Sequence, residues 1–279
     1  MADLGQMNRL TVLRVLDIGA ILDGNKLGDI LLPARQMPDT LREGSELDVF
    51  VYLDSEDQPI ATTAQPKVMV GQCAYLKVVD VNPVGAFMDW GLPKDLLLPY
   101  AEQAKKLQPG MHKVVYVYVD RASSRITASA RLDKHLHEEN RHFVPGQAVD
   151  VLFCGHSDLG YKGVINNTHL GLLHHSDVMQ PVRIGQRTTA YIKSIHPSGK
   201  INLALHLPNK KQLGELAEQI LADLEANGGE SLLTDRSSPE DIKRKWQVSK
   251  GSYKKALGAL YKNRKIIILP DRIQLNDSD

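Results

Sequence analysis

Three stretches of the chain, residues 5 to 64, 71 to 130 and 146 to 205, align with one another without a gap. The pair Gly5-Gln6 returns as Gly71-Gln72 and again as Gly146-Gln147. A shift of 66 residues carries Gly19-Ala20-Ile21 onto Gly85-Ala86-Phe87, Leu31-Leu32-Pro33 onto Leu97-Leu98-Pro99, Gly44 onto Gly110 and Asp54 onto Asp120. A further 75 reaches Gly160-Tyr161-Lys162, Leu172-Leu173-His174, Gly185 and Ile201. Roughly a third of the positions are identical between the first two copies, and the period is too long for a solenoid repeat. The chain must therefore fold as an array of small domains, each closing on a modest core.

Copy two shows what one unit builds. Cys73 to Val81 is strand-like, Ala86 to Trp90 follows a Pro-Val-Gly turn, and Leu96-Leu97-Leu98 is an apolar run stopped by Pro99. After Gly110 come the alternating stretch Val115 to Val119, a polar turn at Asp120 to Ser124, and Arg125-Ile126-Thr127-Ala128-Ser129. Five strands with a final hairpin in so few residues predict a closed or nearly closed antiparallel barrel, because closure removes the exposed edges of a small sheet.

The formal net charge of +1 conceals an uneven distribution. Through Val70 there are 11 acidic and 6 basic residues, and from Gly71 onward 22 acidic and 28 basic. A polyanion would be repelled by copy one and attracted further along. Cys73 and Cys154 sit near the first strands of copies two and three, with no Cys-x-x-Cys spacing, so buried reduced thiols are expected. Neighbouring His174 and His175 would point to opposite faces of a strand and cannot share a metal, and no ligand spacing for a metal or cofactor is found. Met1-Ala2-Asp3-Leu4 has neither the basic start nor the apolar core of a secretory signal, and no apolar run approaches a membrane span, so a cytoplasmic protein without membrane contact is expected.

Beyond residue 207 the period changes. Leu213, Leu216, Ala217, Ile220, Leu221 and Leu224 recur at helical spacing up to Asn227-Gly228-Gly229. Ser238-Pro239-Glu240-Asp241 reads as a helix start and Ser249 as another, the latter with Tyr253, Ala256, Leu257 and Leu260 as its buried stripe. Lys265 to Leu269 and Arg272 to Leu275 complete a β hairpin. Between Ile242 and Lys265 lie nine basic residues and no acidic one, the footprint expected of a phosphate-binding face.

The order of elements in copy two resembles the S1 domain, an RNA-binding variety of OB barrel. Its signature runs from a Gly-Ala-Phe turn through Gly-Leu-Leu-His-x-Ser to an Asp-x-x-x-Arg-Ile hairpin. Copy three carries the middle element as Gly171-Leu172-Leu173-His174-His175-Ser176, and copy two supplies Gly85-Ala86-Phe87 and the hairpin from Asp120 to Ser129, with one extra residue in the turn. The three helices and hairpin resemble a winged helix. Together these parts resemble the conserved virulence factor B family of bacterial proteins. The fold expected is thus all-β, OB-type (S1-like) barrels in tandem, at 1–66, 67–133 and 144–207, followed by a small α+β winged-helix domain at 210–279. Lys134 to Asn140 is expected to form a short helix, and the short link between copies one and two is expected to couple them more tightly than copies two and three.

The resemblance implies an RNA-binding, non-catalytic role in gene regulation. Carried over by position, the RNA face comprises Phe87, Asp120 and Arg125 in copy two, with Tyr116 and Tyr118 as possible stacking rings. In copy three it comprises Lys162, His174 and Lys200 with Tyr161 beside them. Stacking rings would hold bases and cations would neutralise phosphates of single-stranded RNA or DNA. Copy two has Val84 and Pro99 where the family has an aromatic and the histidine. Copy one, with Ile18, Ile21, Pro33 and Pro59, keeps only Asp54 and has lost the face. Nucleic-acid contact by the winged helix would fall to Lys243, Lys245, Lys250, Lys254, Lys255, Lys262 and Arg264, supported by Arg244 and Lys265. An alternative reading makes the acidic copy one and copy two a docking scaffold for a protein of the transcription or translation machinery. No catalytic motif is found, and carboxylates such as Asp89 and Asp95 show no clustering that would hold Mg²⁺.

Overall fold

A computed structural model describes residues 2–207 and 210–276. The break expected at Pro208-Asn209 and the last three residues of the expected winged-helix domain lie outside the described residues. The chain divides into two compact units, Met1–His137 and Glu138–Asp279.

In the first unit, copy one folds as β1 (Met7–Leu16), β2 (Gly19–Asp23), β3 (Asp29–Pro33), β4 (Glu46–Leu53) and β5 (Pro59–Thr62). The order β1-β2-β3-β5-β4 closes on itself, with β1 antiparallel to β4 and β3 parallel to β5. Copy two repeats the elements as β6 (Cys73–Asn82), β7 (Gly85–Asp89), β8 (Leu96–Pro99), β9 (His112–Val119) and β10 (Ile126–Ser129). Its sheet runs β10-β9-β6-β7-β8, and β8 and β10 lie side by side without a ladder joining them, so this barrel is nearly closed. Copy three, in the second unit, closes again with β11 (Ala148–Ser157), β12 (Gly160–Ile165), β13 (His169–His174), β14 (Arg187–Ile195) and β15 (Ile201–Ala204). Gly19, Gly85 and Gly160 each open the second strand of their barrel. A Cβ at these glycines would lie 2.1, 2.4 and 2.0 Å from the carbonyl oxygens of Leu32, Leu98 and Leu173, so close backbone approach excludes any side chain there.

Alternation along a strand buries every second residue, yet Val49, Phe50, Val51 and Tyr52 of β4 are all buried. The outward pair Phe50 and Tyr52 is covered by Trp90 of copy two, whose ring meets theirs edge-on at 5.7 and 6.5 Å. These three rings belong to one apolar cluster with Val68, Leu92 and the core of barrel two. Trp90 Nε1 donates to the Lys94 carbonyl at 2.6 Å, so its polar edge is satisfied while its face is buried. At the link, Val70 N donates to Gly5 O at 2.9 Å and Gln6 Nε2 to Val70 O at 2.7 Å. Barrels one and two are thus one packed body, the tight coupling expected from their short link.

The second unit ends in α1 (Lys210–Ala226), β16 (Glu230–Ser231), α2 (Pro239–Trp246), α3 (Lys250–Lys262), β17 (Ile266–Ile268) and β18 (Ile273–Leu275), with sheet order β16-β18-β17. Ser238 Oγ accepts from Asp241 N and Ser249 Oγ from Ser252 N, both at 3.1 Å, capping α2 and α3 as their sequences predict. Tyr253, Ala256, Leu257 and Leu260 are buried against Leu216, Ile220 and Leu224. Burial pushes the Tyr253 phenol up to about 12, and its hydroxyl donates to the Leu233 carbonyl at 2.8 Å. The two-residue strand β16 is too short to leave a periodic signal.

Two expectations are corrected. The segment 134–140 is not helical: a single 3₁₀ turn spans Leu132–Lys134, then Glu139 bridges Lys200 and Asn140 N donates to Gly199 O at 2.8 Å, so its backbone is satisfied by the β14–β15 turn. Both cysteines are thiols outside any disulfide, but they differ in setting, since Cys73 is buried and aligns with Ala148, whereas Cys154 is half-buried and aligns with Val79. Replacing Trp90 by alanine is expected to remove about 3–5 kcal/mol from the two-barrel unit. Urea denaturation of the full chain would show it as an early transition absent from the wild type.

Candidate nucleic-acid interface

On barrel three the register aligns Lys162 of β12 with Leu172 of β13, Asn202 of β15 and Ser194 of β14. These residues share the outer face. His174, two residues beyond Leu172, is half-buried, and its Nε2 lies 3.1 Å from Asn202 Oδ1. Because Asn202 Nδ2 donates to Ser194 Oγ at 3.1 Å, the amide oxygen faces the histidine and Nε2 carries the donated proton. Lys162 and Lys200 are exposed on the same face, Lys162 in register with Leu172 and Asn202, and Lys200 two residues before Asn202 beside the β14–β15 turn. A ring held in orientation by an amide, with two lysines on the same face, can stack on a base while the cations contact phosphates. Tyr161 points the other way: it pairs with Leu173 and packs edge-on against Phe153 at 6.2 Å, so it supports the core and leaves the face to Lys162.

Barrel two departs from its expected face. Phe87, Leu97, Thr127 and Arg125 line a cleft of 340 Å³, but Leu53, Ser55 and Asp57 of barrel one line it too. Asp57 binds Arg125 through Oδ2 and Lys94 through Oδ1, the latter at 3.1 Å. Hydrogen bonds from Lys94 and then Arg125 hold the Asp57 carboxyl below the usual carboxylate range. Asp120 shapes its own turn, accepting from Ser123 Oγ at 2.7 Å and Ser123 N at 2.9 Å, which lowers its pKa. Asp54 does the same in copy one, accepting from Glu56 N and Gln58 N, both at 2.9 Å. The aspartate shared by the two copies is therefore a turn former.

Tyr116 and Tyr118 stand on the outer face of β9 but already carry a ring. His135 lies over both, at 4.8 and 4.6 Å between centroids. Burial raises both phenols and lowers the His135 imidazole, whose Nε2 is buried without a hydrogen-bond partner.

In the winged helix the basic stretch is partly neutralised from outside. Lys245 pairs with Asp223 and lies over Trp246, Arg244 pairs with Asp241 at 3.2 Å, and Lys254 with Asp235 at 3.4 Å. Lys243 donates to the Val178 carbonyl of barrel three at 3.2 Å and Lys250 to the Arg236 carbonyl at 3.3 Å. Among the described residues Lys255, Lys262, Arg264 and Lys265 are exposed and in no ion pair. A further cleft of 470 Å³ separates barrel three from α1 and α3, with Lys193, Asp177, His206, Leu213 and Lys255 on its walls.

A family model described as "S1 domain" matches residues 4–64 and 70–130, and one described as "CvfB-like winged helix domain" matches 218–275. The chain belongs to the proteins that join S1 domains to a CvfB-like winged helix. Among its relatives is "Conserved virulence factor B" of Staphylococcus aureus, 28% identical over 85% of this chain and 81% of that protein. "Uncharacterized protein YitL" of Bacillus subtilis is 27% identical over 94% of this chain and 90% of that protein. A solved multidomain protein with nucleic acid binding domains from Streptococcus pneumoniae covers 98% of each chain at 24% identity and a TM-score of 0.41.

Within this S1 and winged-helix architecture, the sequence reading missed Asn202, Ser194, Lys94, Asp57 and His135. Asn202 had a findable signal, lying two residues after Lys200 on a strand and so on the same side. The others are paired by tertiary contacts that leave no spacing pattern. Among the described residues no group of side chains could hold a metal ion, and no helix is long and apolar enough to cross a membrane.

Because the folded-state pKa of His135 is depressed, the stability it contributes is complete above its unfolded value near 6.5 and falls as pH drops through the folded value. His135→Phe keeps the stacked ring and removes the titration. Its melting temperature is therefore expected to fall less than that of the wild type between pH 7 and pH 5, by differential scanning fluorimetry.

Proposed function

We propose that this chain is a non-catalytic regulatory protein that binds single-stranded RNA through S1-like barrels two and three, with electrostatic support from the winged helix. The observation that carries this reading is the outer face of barrel three, where Asn202 fixes His174 and the exposed Lys162 and Lys200 stand on the same face. Base stacking and phosphate neutralisation use such elements, and His174 stands at the histidine of the S1 signature, with Lys162 and Lys200 at its phenylalanine and arginine positions. The match of the first two barrels to the S1 domain supports the same reading. Barrel two contributes Phe87 and Arg125, and the winged helix contributes through Lys255, Lys262 and Arg264, which are exposed and have no acidic partner among the described residues. The docking role once open to the N-terminal part keeps one supporting observation, that Ile18 of barrel one is 64% exposed at the position the S1 signature gives to an aromatic.

Fluorescence anisotropy with a labelled single-stranded RNA tests the proposal. His174→Ala is expected to weaken binding by about 1–3 kcal/mol if a base stacks on the ring. Lys162→Ala and Lys200→Ala should each lower the slope of log affinity against log salt by about 0.7 for every phosphate no longer neutralised. A folded triple variant with wild-type affinity and slope would remove barrel three from the interface. Lys255→Glu with Lys262→Glu examines the winged helix in the same assay, where unchanged affinity would assign that domain to protein contact.

A further inference from the structure

The carboxylate of Asp57 is held by two cations that reach it from separate parts of barrel two, Lys94 from the loop before β8 and Arg125 from the residue just before β10. Each takes a different oxygen. Two positive groups converging on two oxygens of one anion is the arrangement that binds the non-bridging oxygens of a phosphodiester. It lies beside Phe87 and Leu97 in the cleft of barrel two, where the ring could support the adjoining base.

The turn that fills this position is preshaped for it. Asp54 Oδ1 gathers the amides of Glu56 and Gln58, Lys94 Nζ also binds the Asp54 carbonyl, and Asp57 sits in the left-handed region at φ 61. Asp57 is not required to hold the barrels together, because Trp90, Phe50 and Tyr52 join them with an apolar contact. Nor is it buried: its side chain is 34% exposed, and those of Lys94 and Arg125 are 38% and 57% exposed. Ion pairs this exposed are weak and can be exchanged for another anion.

We propose that Lys94 and Arg125 form a phosphate clamp on the S1 face of barrel two, and that Asp57 of barrel one occupies it as an intramolecular competitor. Copy one, which has lost its own face, thereby controls the face of its neighbour. The clamp rests on the reading of the chain as an RNA-binding protein, but its test does not depend on barrel three.

The full-length protein carrying Lys162→Ala, His174→Ala and Lys200→Ala serves as background, titrated with a fluorescein-labelled oligouridylate at several salt concentrations. Adding Asp57→Asn, which keeps the left-handed turn accessible, should raise affinity about 3- to 10-fold at low salt and steepen the salt slope by about 0.7 to 1.4. Adding Arg125→Ala or Lys94→Ala to that variant should cancel the gain. Affinity and slope that Asp57→Asn leaves unchanged would overturn the clamp, as would a gain that survives removal of Arg125 and Lys94. Comparing the background with wild type judges the barrel-three interface separately, so failure of one idea is distinguishable from failure of the other. Unchanged thermal melting of Asp57→Asn would show that the barrels remain docked.

Discussion

The arrangement depends on what covers the outer face of the fourth strand in each barrel. The alignment places Phe50 and Tyr52, Tyr116 and Tyr118, and Tyr191 and Lys193 at corresponding positions. In barrel one the pair is covered by Trp90 of the next barrel, and in barrel two by His135 of the following link. In barrel three Lys193 binds Asp177 at 2.6 Å, and both approach Gly251 at the start of α3. Barrels one and two thus complete this burial with the segment that follows them, as domains of this size have reason to do, whereas the Lys193 of barrel three is paired within its own barrel.

This explains why the repeat is regular in backbone and irregular in surface. The glycines that open each second strand are fixed by carbonyl oxygens about 2 Å from a would-be Cβ, and they recur in all three copies. The faces diverge because each has a different neighbour. Barrel three keeps an open histidine and two lysines, whereas barrel two meets an acidic turn and barrel one presents aliphatic residues.

The strand order, the capped helices α2 and α3 and the coupling of the first two barrels were legible because they follow from local pattern: alternation, serine caps, the short link. Phe87, Arg125, His174, Lys162 and Lys200 came from the resemblance to the S1 signature, carried over position by position, and parity along a strand fixes only on which side a residue stands. Parity cannot tell whether an outer residue meets water or protein. Tyr116 and Tyr118 read as free stacking rings, though a histidine from beyond the repeat lies on them. The nine basic residues of the winged helix read as one field, though Asp223, Asp235 and Asp241 reach in from outside the counted stretch.

Covering the fourth strands of barrels one and two with later sequence gives their assembly a direction. During synthesis barrel one can close its ring of strands before Trp90 has been made, and until then Phe50 and Tyr52 have no cover. The same holds for Tyr116 and Tyr118 until His135 follows. A fragment cut after barrel one leaves Phe50 and Tyr52 in water, and a fragment that starts at barrel two uncovers the face of Trp90 in turn. The barrels share one topology, and the first two are each finished by residues that follow them in the chain.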